Sequence, residues 1–190
     1  MDRLSIGCVL GIASVSAGMG IAKLERAVTP ARSVTASSEE DPVGRAAVEL
    51  AIDTLLARLY ASISGPPGAE RDWETFDSVF TDAARMAAWY PQLDGSVAEM
   101  KMTPSEYKER SGPMLVASGF SEKEVNRELD VYGSIAHAFS TYRGEYTDAR
   151  GEPRAVAGIN SIQLVKTNDG WRVHSLIWQQ AGDALPIPER

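Results

Sequence analysis

The segment Thr167-Asn168-Asp169-Gly170 constrains this chain more than any other. Asn-Asp-Gly is tight-turn chemistry. It sits between two long runs with strand character, Ala155–Val165 and Trp171–Gln180. A third such run, Ile135–Arg143, precedes them. Glu122–Tyr132 then reads as a fourth strand, because Val125, Leu129 and Val131 alternate with Glu124, Asn126, Glu128 and Asp130. Gly133-Ser134 is the two-residue turn that joins the fourth strand to the third. Four long antiparallel strands in succession need something apolar to pack on one of their faces.

The residues upstream supply it. Asp41-Pro42 is an N-cap followed by a first-turn proline. Val48, Ile52, Leu55, Leu56, Leu59 and Ile63 then recur at helical spacing, and Gly65-Pro66-Pro67 ends the helix. Asp72 caps a short second helix carrying Trp73, Phe76 and Phe80. Arg85–Trp89 is a brief strand candidate. Thr103-Pro104-Ser105-Glu106 is a capping box whose helix is expected to reach about Ser111, where Gly112-Pro113 kinks or stops it. The fold class is therefore α+β: N-terminal helices packed in the concavity of a curved, mainly antiparallel sheet.

Before this domain, Met1–Ala22 reads as a secretory signal, with Arg3 ahead of an apolar Leu4–Val15 stretch and small residues at Val15 and Ala17. The competing reading is a misassigned start codon ahead of a cytoplasmic domain. Residues 23–40 are polar and unpatterned and read as a disordered linker. The domain is placed at 41–183 and a tail at 184–190. The expected location is periplasmic or secreted, with no stable membrane anchor after signal cleavage. A net charge of −7 argues against a nucleic-acid surface. With one cysteine, Cys8, and two histidines there is no disulfide framework and no zinc-ligand pattern. No metal and no cofactor is called for.

The turns also suggest a register. Gly133-Ser134 places Asp130 opposite His137; a loop over 147–153 places Ser140 opposite Asn160; the last turn places Leu164 opposite Val173. One face then collects Leu129, Val131, Ala136, Ala138, Ile162, Leu164, Trp171, Val173 and Ile177, and should meet the helices. Towards one end it adds Arg127, Ser140, Tyr142, Asn160 and Gln179, with Gly158 leaving space opposite Tyr142. The other face collects Asp130, His137, Gln163 and His174 beside Phe139, Leu176 and Trp178. That mixture suits a homodimer interface. A slip or bulge would invert a whole strand.

Tyr132–Tyr142, Gly158–Val165 and Gly170–Val173 with Trp178-Gln179 carry a resemblance to the nuclear transport factor 2-like superfamily, in a bacterial, SnoaL-like branch. It spans roughly Pro42 to Ala181. The resemblance implies a cone-shaped α+β domain. The superfamily includes polyketide cyclases, ketosteroid isomerases, scytalone dehydratase and limonene epoxide hydrolase, but also binding and assembly domains, so fold alone does not give activity.

Two site readings follow. In the first, Arg127, Ser140, Tyr142, Asn160 and Gln179 line the mouth of a small-molecule pocket, closed by Tyr60, Trp73 or Trp89, and an unmatched Arg127 asks for an anionic or strongly polar ligand group. The competing explanation is a buried hydrogen-bond network with no ligand. In the second, His137 with Asp130 is a proton-transfer pair of a cofactor-free lyase or isomerase, by analogy with scytalone dehydratase; against it, both lie on the face away from the helices. A ketosteroid-isomerase-like site needs a carboxylate inside the cone, and the register offers none there. Asp53 is read as exposed, and no carboxylate pair is seen to flank Arg127. The favoured reading is a domain that binds a small amphipathic or apolar molecule and dimerises through its sheet.

Overall fold

The computed structural model describes residues 42–92 and 94–188. The signal-like segment, the linker and the Asp41 cap lie outside the described residues. The element order is α1 (Pro42–Ile63), α2 (Trp73–Ser78), β1 (Phe80–Pro91), β2 (Val97–Met102), α3 (Pro104–Ser118), β3 (Ser121–Tyr132), β4 (Ile135–Thr147), β5 (Pro153–Thr167) and β6 (Gly170–Gln180). The six strands form one sheet in the order β2-β1-β6-β5-β4-β3. Only the β1–β6 pairing is parallel. The helices pack on one face of this curved sheet, as expected.

The α1 stripe buries Ile52, Leu55, Leu56, Leu59, Tyr60 and Ile63 against Ala136, Ala138, Ile162, Leu164, Trp171 and Val173 of the sheet. Asp72 caps α2 by accepting from the Thr75 backbone N–H. An aromatic series then ties the helices to the sheet. Phe76 meets Trp73 edge-on at 5.6 Å and stacks on Tyr107 of α3 at 5.5 Å, and Tyr107 meets Trp178 of β6 edge-on at 6.2 Å.

Two expectations about these elements need correction. The Arg85–Trp89 candidate is the middle of a longer strand, and β2 beside it was not foreseen. Every β2 residue except Met102 is exposed, so this edge strand carries no apolar alternation to read. The capping box of α3 is present, but the helix does not stop near Ser111. It continues through Pro113 to Ser118 and ends at Gly119 in the left-handed conformation, φ 65°. Proline removes one intrahelical bond, to the carbonyl of Glu109, and Glu109 is exposed and open to water. Gly112 meanwhile lies tight against the Trp73 ring, so tertiary packing outweighs the local break.

The hairpin registers agree with the turns: Asp130 faces His137, Ser140 faces Asn160, and Leu164 faces Val173. Two β-bulges depart from the straight ladder. In β3 the register shifts between Glu124 and Asn126, leaving Val125 extra. In β6 the partners of Gln163 and Leu164 are Ser175 and Val173, leaving His174 extra. Each bulge inverts the strand beyond it. Leu176 is therefore buried and Trp178 packs against the core, while Ile177 is 43% exposed. The assignments of Ile177 and Gln179 to the helix-facing side, and of Leu176 and Trp178 to the other, are reversed by the His174 bulge. That bulge abuts a matching irregularity of β1 between Phe80 and Arg85, where Thr81 Oγ1 lies 3.1 Å from His174 Nδ1.

One residue fastens the helices to the start of β3. Arg71 is 3% exposed. Its guanidinium donates to the carbonyls of Ile63 and Gly65 at the end of α1, Ala69, Leu115 in the last turn of α3, and Phe120 just before β3. The Ile63 carbonyl is one that a helix end leaves without an intrahelical partner; those of Gly65 and Ala69 belong to the loop, and those of Leu115 and Phe120 also accept from backbone N–H groups. Arg71→Met should destabilise the domain by more than about 3 kcal/mol in urea unfolding, because several buried carbonyls lose their donor at once. Arg71→Lys should rescue little of it, since an ammonium cannot reproduce the planar fork.

Candidate active site

The Arg71 clamp fixes where β3 begins, and Ser64 extends it. Ser64 Oγ accepts from the Glu122 backbone N–H at 2.8 Å and donates to the Tyr60 carbonyl at 2.7 Å, with the Glu122 carbonyl 3.1 Å away. Gly65 N–H also bonds the Phe120 carbonyl at 3.0 Å. With its first residues held this way and the Val125 bulge downstream, β3 turns Glu122 and Glu124 toward the helices. Glu122 pairs across β3–β4 with Gly144, and Glu124 with Tyr142. The inner face thus holds carboxylates, where the unbulged register had placed none.

Glu122 lines a cavity of about 350 Å³ between the helices and the sheet. Five tyrosines line it as well, Tyr60, Tyr90, Tyr107, Tyr142 and Tyr146, together with Trp178 and aliphatic side chains of α1, α3 and β6. Among its lining residues Glu122 is the only carboxylate, and there is no lysine, arginine or histidine. Burial pushes the Glu122 carboxyl up to about 7, against a smaller downward pull from the polar Asn160 side chain. Tyr60 is pushed up to about 12 by burial, partly offset by its hydrogen bonds to Ser140 and Asn160. Tyr107 and Tyr142 are held above the ordinary phenol value by burial and then by the charge of Glu122.

Of the pocket residues anticipated from the sequence, the structure brings Tyr142 and Asn160 to the cavity wall. Ser140 lies one layer behind, fully buried, between Tyr60 and Glu124. The other two are displaced. Gln179 falls on the opposite face of the sheet through the His174 bulge, and Gln180 takes its place in the cavity lining. Arg127 does not line the cavity and is not unmatched: it pairs with Asp53 of α1 and lies 3.3 Å from Glu124. Two carboxylates therefore do flank it, and the ligand anion it was expected to require has no basis. Nor is there an open gap at Gly158. The Tyr142 phenol fills it, and any Cβ at Gly158 would collide with that ring. Tyr60 closes the cavity as expected; Trp73 and Trp89 do not line it.

His137 faces Asp130 across β3–β4, on the outer side of the sheet. Its Nε2 lies 3.0 Å from Ser161 Oγ, and neither His137 nor Asp130 lines the inner cavity. A second hollow of about 480 Å³ lies on that outer side, between Phe139, Ile159, Ile177 and the 185–188 segment. It is larger but no ionisable side chain lines it.

No family model matches the chain, and no curated protein matches it. Solved structures do. A conserved protein from Planctomyces limnophilus superposes with a TM-score of 0.59 at 16% identity, over 72% of this chain and 98% of that one. A nuclear transport factor 2-like superfamily protein from Salmonella enterica serovar Typhimurium gives 0.57 at 17% identity, over 77% and 96%. The domain has the nuclear transport factor 2-like fold. A protein of unknown function from Mycobacterium tuberculosis gives 0.57 at 19% identity, over 76% and 79%. Within a nuclear transport factor 2-like cone, the hollow between helices and sheet is where Glu122 stands.

The position of Glu122 has a consequence for stability. The folded state keeps its proton to about pH 7, while an ordinary glutamate in the unfolded chain releases it near 4.5. Between those values the folded state binds more protons, so stability falls as pH rises through this window and levels off above it. The loss amounts to roughly 3 kcal/mol. Glu122→Gln should match the wild type at about pH 4 and exceed it by up to that amount at about pH 8, read from urea unfolding at both values.

Proposed function

We propose that the domain is a cofactor-free isomerase or lyase acting on a small, uncharged, largely apolar carbonyl compound. The observation that carries this reading is Glu122, a half-buried carboxylate facing an aromatic cavity whose lining holds no cation. Burial without a charge partner brings a carboxyl toward neutral pH, where it both takes and returns a proton at useful rates. In this reading the Glu122 carboxylate removes a proton from the carbon next to the substrate carbonyl. The electron pair moves onto the carbonyl oxygen. The developing oxyanion accepts from a phenol of Tyr107 or Tyr142, whose hydroxyls have no hydrogen-bond partner among the described residues. Glu122 then returns the proton to carbon, giving isomerisation, or to a departing hydroxyl, giving elimination of water. The absence of basic side chains disfavours phosphates and carboxylates as the bound group, since nothing in the lining would offset their charge. The earlier candidates His137 and Asp130 have no part in this mechanism.

The outer face supports the homodimer expected from the sequence. No ionisable group lines its apolar hollow, and Ile177 takes the place first assigned to Leu176. In this reading two sheets pack through Phe139, Ile159 and Ile177. The apolar Leu4–Val15 stretch supports export of the domain.

Two experiments follow. The protein, incubated in deuterated water with a panel of uncharged cyclic and aryl ketones, should catalyse exchange of the protons next to the carbonyl, read by NMR. The rate should rise with pH through a midpoint near 7, and Glu122→Gln should lower it by about 100-fold or more. Exchange that survives in Glu122→Gln removes Glu122 as the base. For the dimer, Ile177→Asp should turn a wild-type dimer into a monomer in sedimentation velocity; a monomeric wild type refutes the interface.

A further inference from the structure

Beyond β6 the chain doubles back over the outer face of its own sheet. Ala181 N–H bonds the Ala157 carbonyl at 2.8 Å, and Gly182 and Leu185 then exchange backbone bonds of 3.1 and 2.9 Å across a tight turn. The turn sends Leu185-Pro186-Ile187-Pro188 across the outer hollow, where the segment forms one wall and Phe139, Ile159 and Ile177 form another. Those three side chains are the ones through which two sheets pack in the dimer reading. Each protomer therefore already carries a cover on the face that a second copy would use.

The cover is weakly held. Among the described residues, no backbone hydrogen bond joins 183–188 to the sheet. Pro186 and Pro188 have no N–H with which to extend the ladder. Leu185 is 46% exposed and Ile187 is half-buried, so the hold rests on two incompletely covered aliphatic side chains. The fit is also loose. About 480 Å³ stays open between the segment and the sheet, and Trp89 Nε1, in the wall of the same hollow, is buried with no acceptor.

We propose that residues 182–188 form a strap that competes with a second copy of the chain for the outer face, so that dimerisation requires the strap to lift. This rests on the dimer reading and adds a control to it. The strap and a partner sheet cover the same Phe139, Ile159 and Ile177 side chains, and both cannot do so at once. Only protomers with the strap lifted can pair, so the apparent affinity of the dimer falls in proportion to the fraction that is open. The Ala181 bond to Ala157 and the Gly182–Leu185 turn tether the strap at its base, which keeps it at high effective concentration over the face it covers. A partner that packs into the open part of the hollow displaces it by burying more apolar surface than two aliphatic side chains can.

The test is sedimentation velocity over a dilution series of the full chain, comparing the wild type with a double variant, Leu185→Ser with Ile187→Ser. Both side chains lie outside the core cluster, so the urea midpoint should be unchanged and the variant should fold. Stripped of its apolar hold, the strap should lift, and the dimer should dissociate at a concentration lower by about tenfold or more. Ala184→Ser, in the turn and not lining the hollow, should leave the dissociation constant where it is in the wild type. If the double variant dimerises no more tightly than the wild type, or more weakly, the strap is overturned while the dimer reading stands, since the segment is then a bystander or part of the interface. If the wild type and the double variant are both monomeric at every concentration, the dimer reading fails, and the strap with it.

Discussion

The Arg71 guanidinium is the interaction on which the rest depends. It is buried, it has no acidic partner among its hydrogen bonds, and it gathers carbonyls from the end of α1, the last turn of α3 and the residue before β3. A buried charge is expensive unless its donors are used, and here they are used on backbone carbonyls of two helix ends and the loops between them. The result is a rigid corner where three chain segments meet. Ser64 and Gly65, one and two residues past α1, complete it by bonding the backbone of Glu122 and Phe120. The corner sets the height and rotation at which β3 enters the sheet.

From that corner the site follows with little freedom. The Val125 bulge absorbs one residue, so β3 leaves the corner with Glu122 and Glu124 inward and still reaches the Gly133-Ser134 turn with Asp130 opposite His137. Gly144 opposite Glu122 carries no side chain to compete for the space. The two inward carboxylates then differ in surroundings. Glu124 has Arg127 and Ser140 beside it. Glu122 has an aromatic cavity and one amide. Two carboxylates two residues apart, one with a charge partner and one without, are the arrangement that separates a structural anion from a group titrating near neutrality.

Much of the architecture was legible in the residues. The Gly133-Ser134 and Asn168-Asp169 turns and the 147–153 loop fix three hairpin registers, and the α1 stripe reads directly as the buried face. The bulges were not legible to the same degree. At β6 there was a signal: Trp171 and Val173 share one phase, while the larger pair Leu176 and Trp178 sits in the other. Ile177, apolar and in phase with Val173, masks that change. At β3 the signal is absent, because Val125 is apolar and in phase with Leu129 and Val131, although it ends up 45% exposed. The apolar alternation favours a straight strand; the clamp from Ser64 and Arg71, remote in sequence, imposes the bulge. Arg71 itself looks like an ordinary surface arginine in the chain, since nothing local shows which carbonyls will surround it. The candidate site was therefore half visible, in Tyr142 and Asn160, and its acid–base group was hidden by one inserted residue.

The central claim is that Glu122 is an inward, half-buried carboxyl with its proton held to neutral pH. The most direct measurement is a 13C titration of the glutamate side-chain carboxyls of the folded protein, with Glu122 assigned by its loss in Glu122→Gln. The account predicts one glutamate with a midpoint near 7, and that resonance missing from the variant. A spectrum in which the Glu122 carboxyl titrates with a solvent-exposed glutamate, near 4.5, would contradict it.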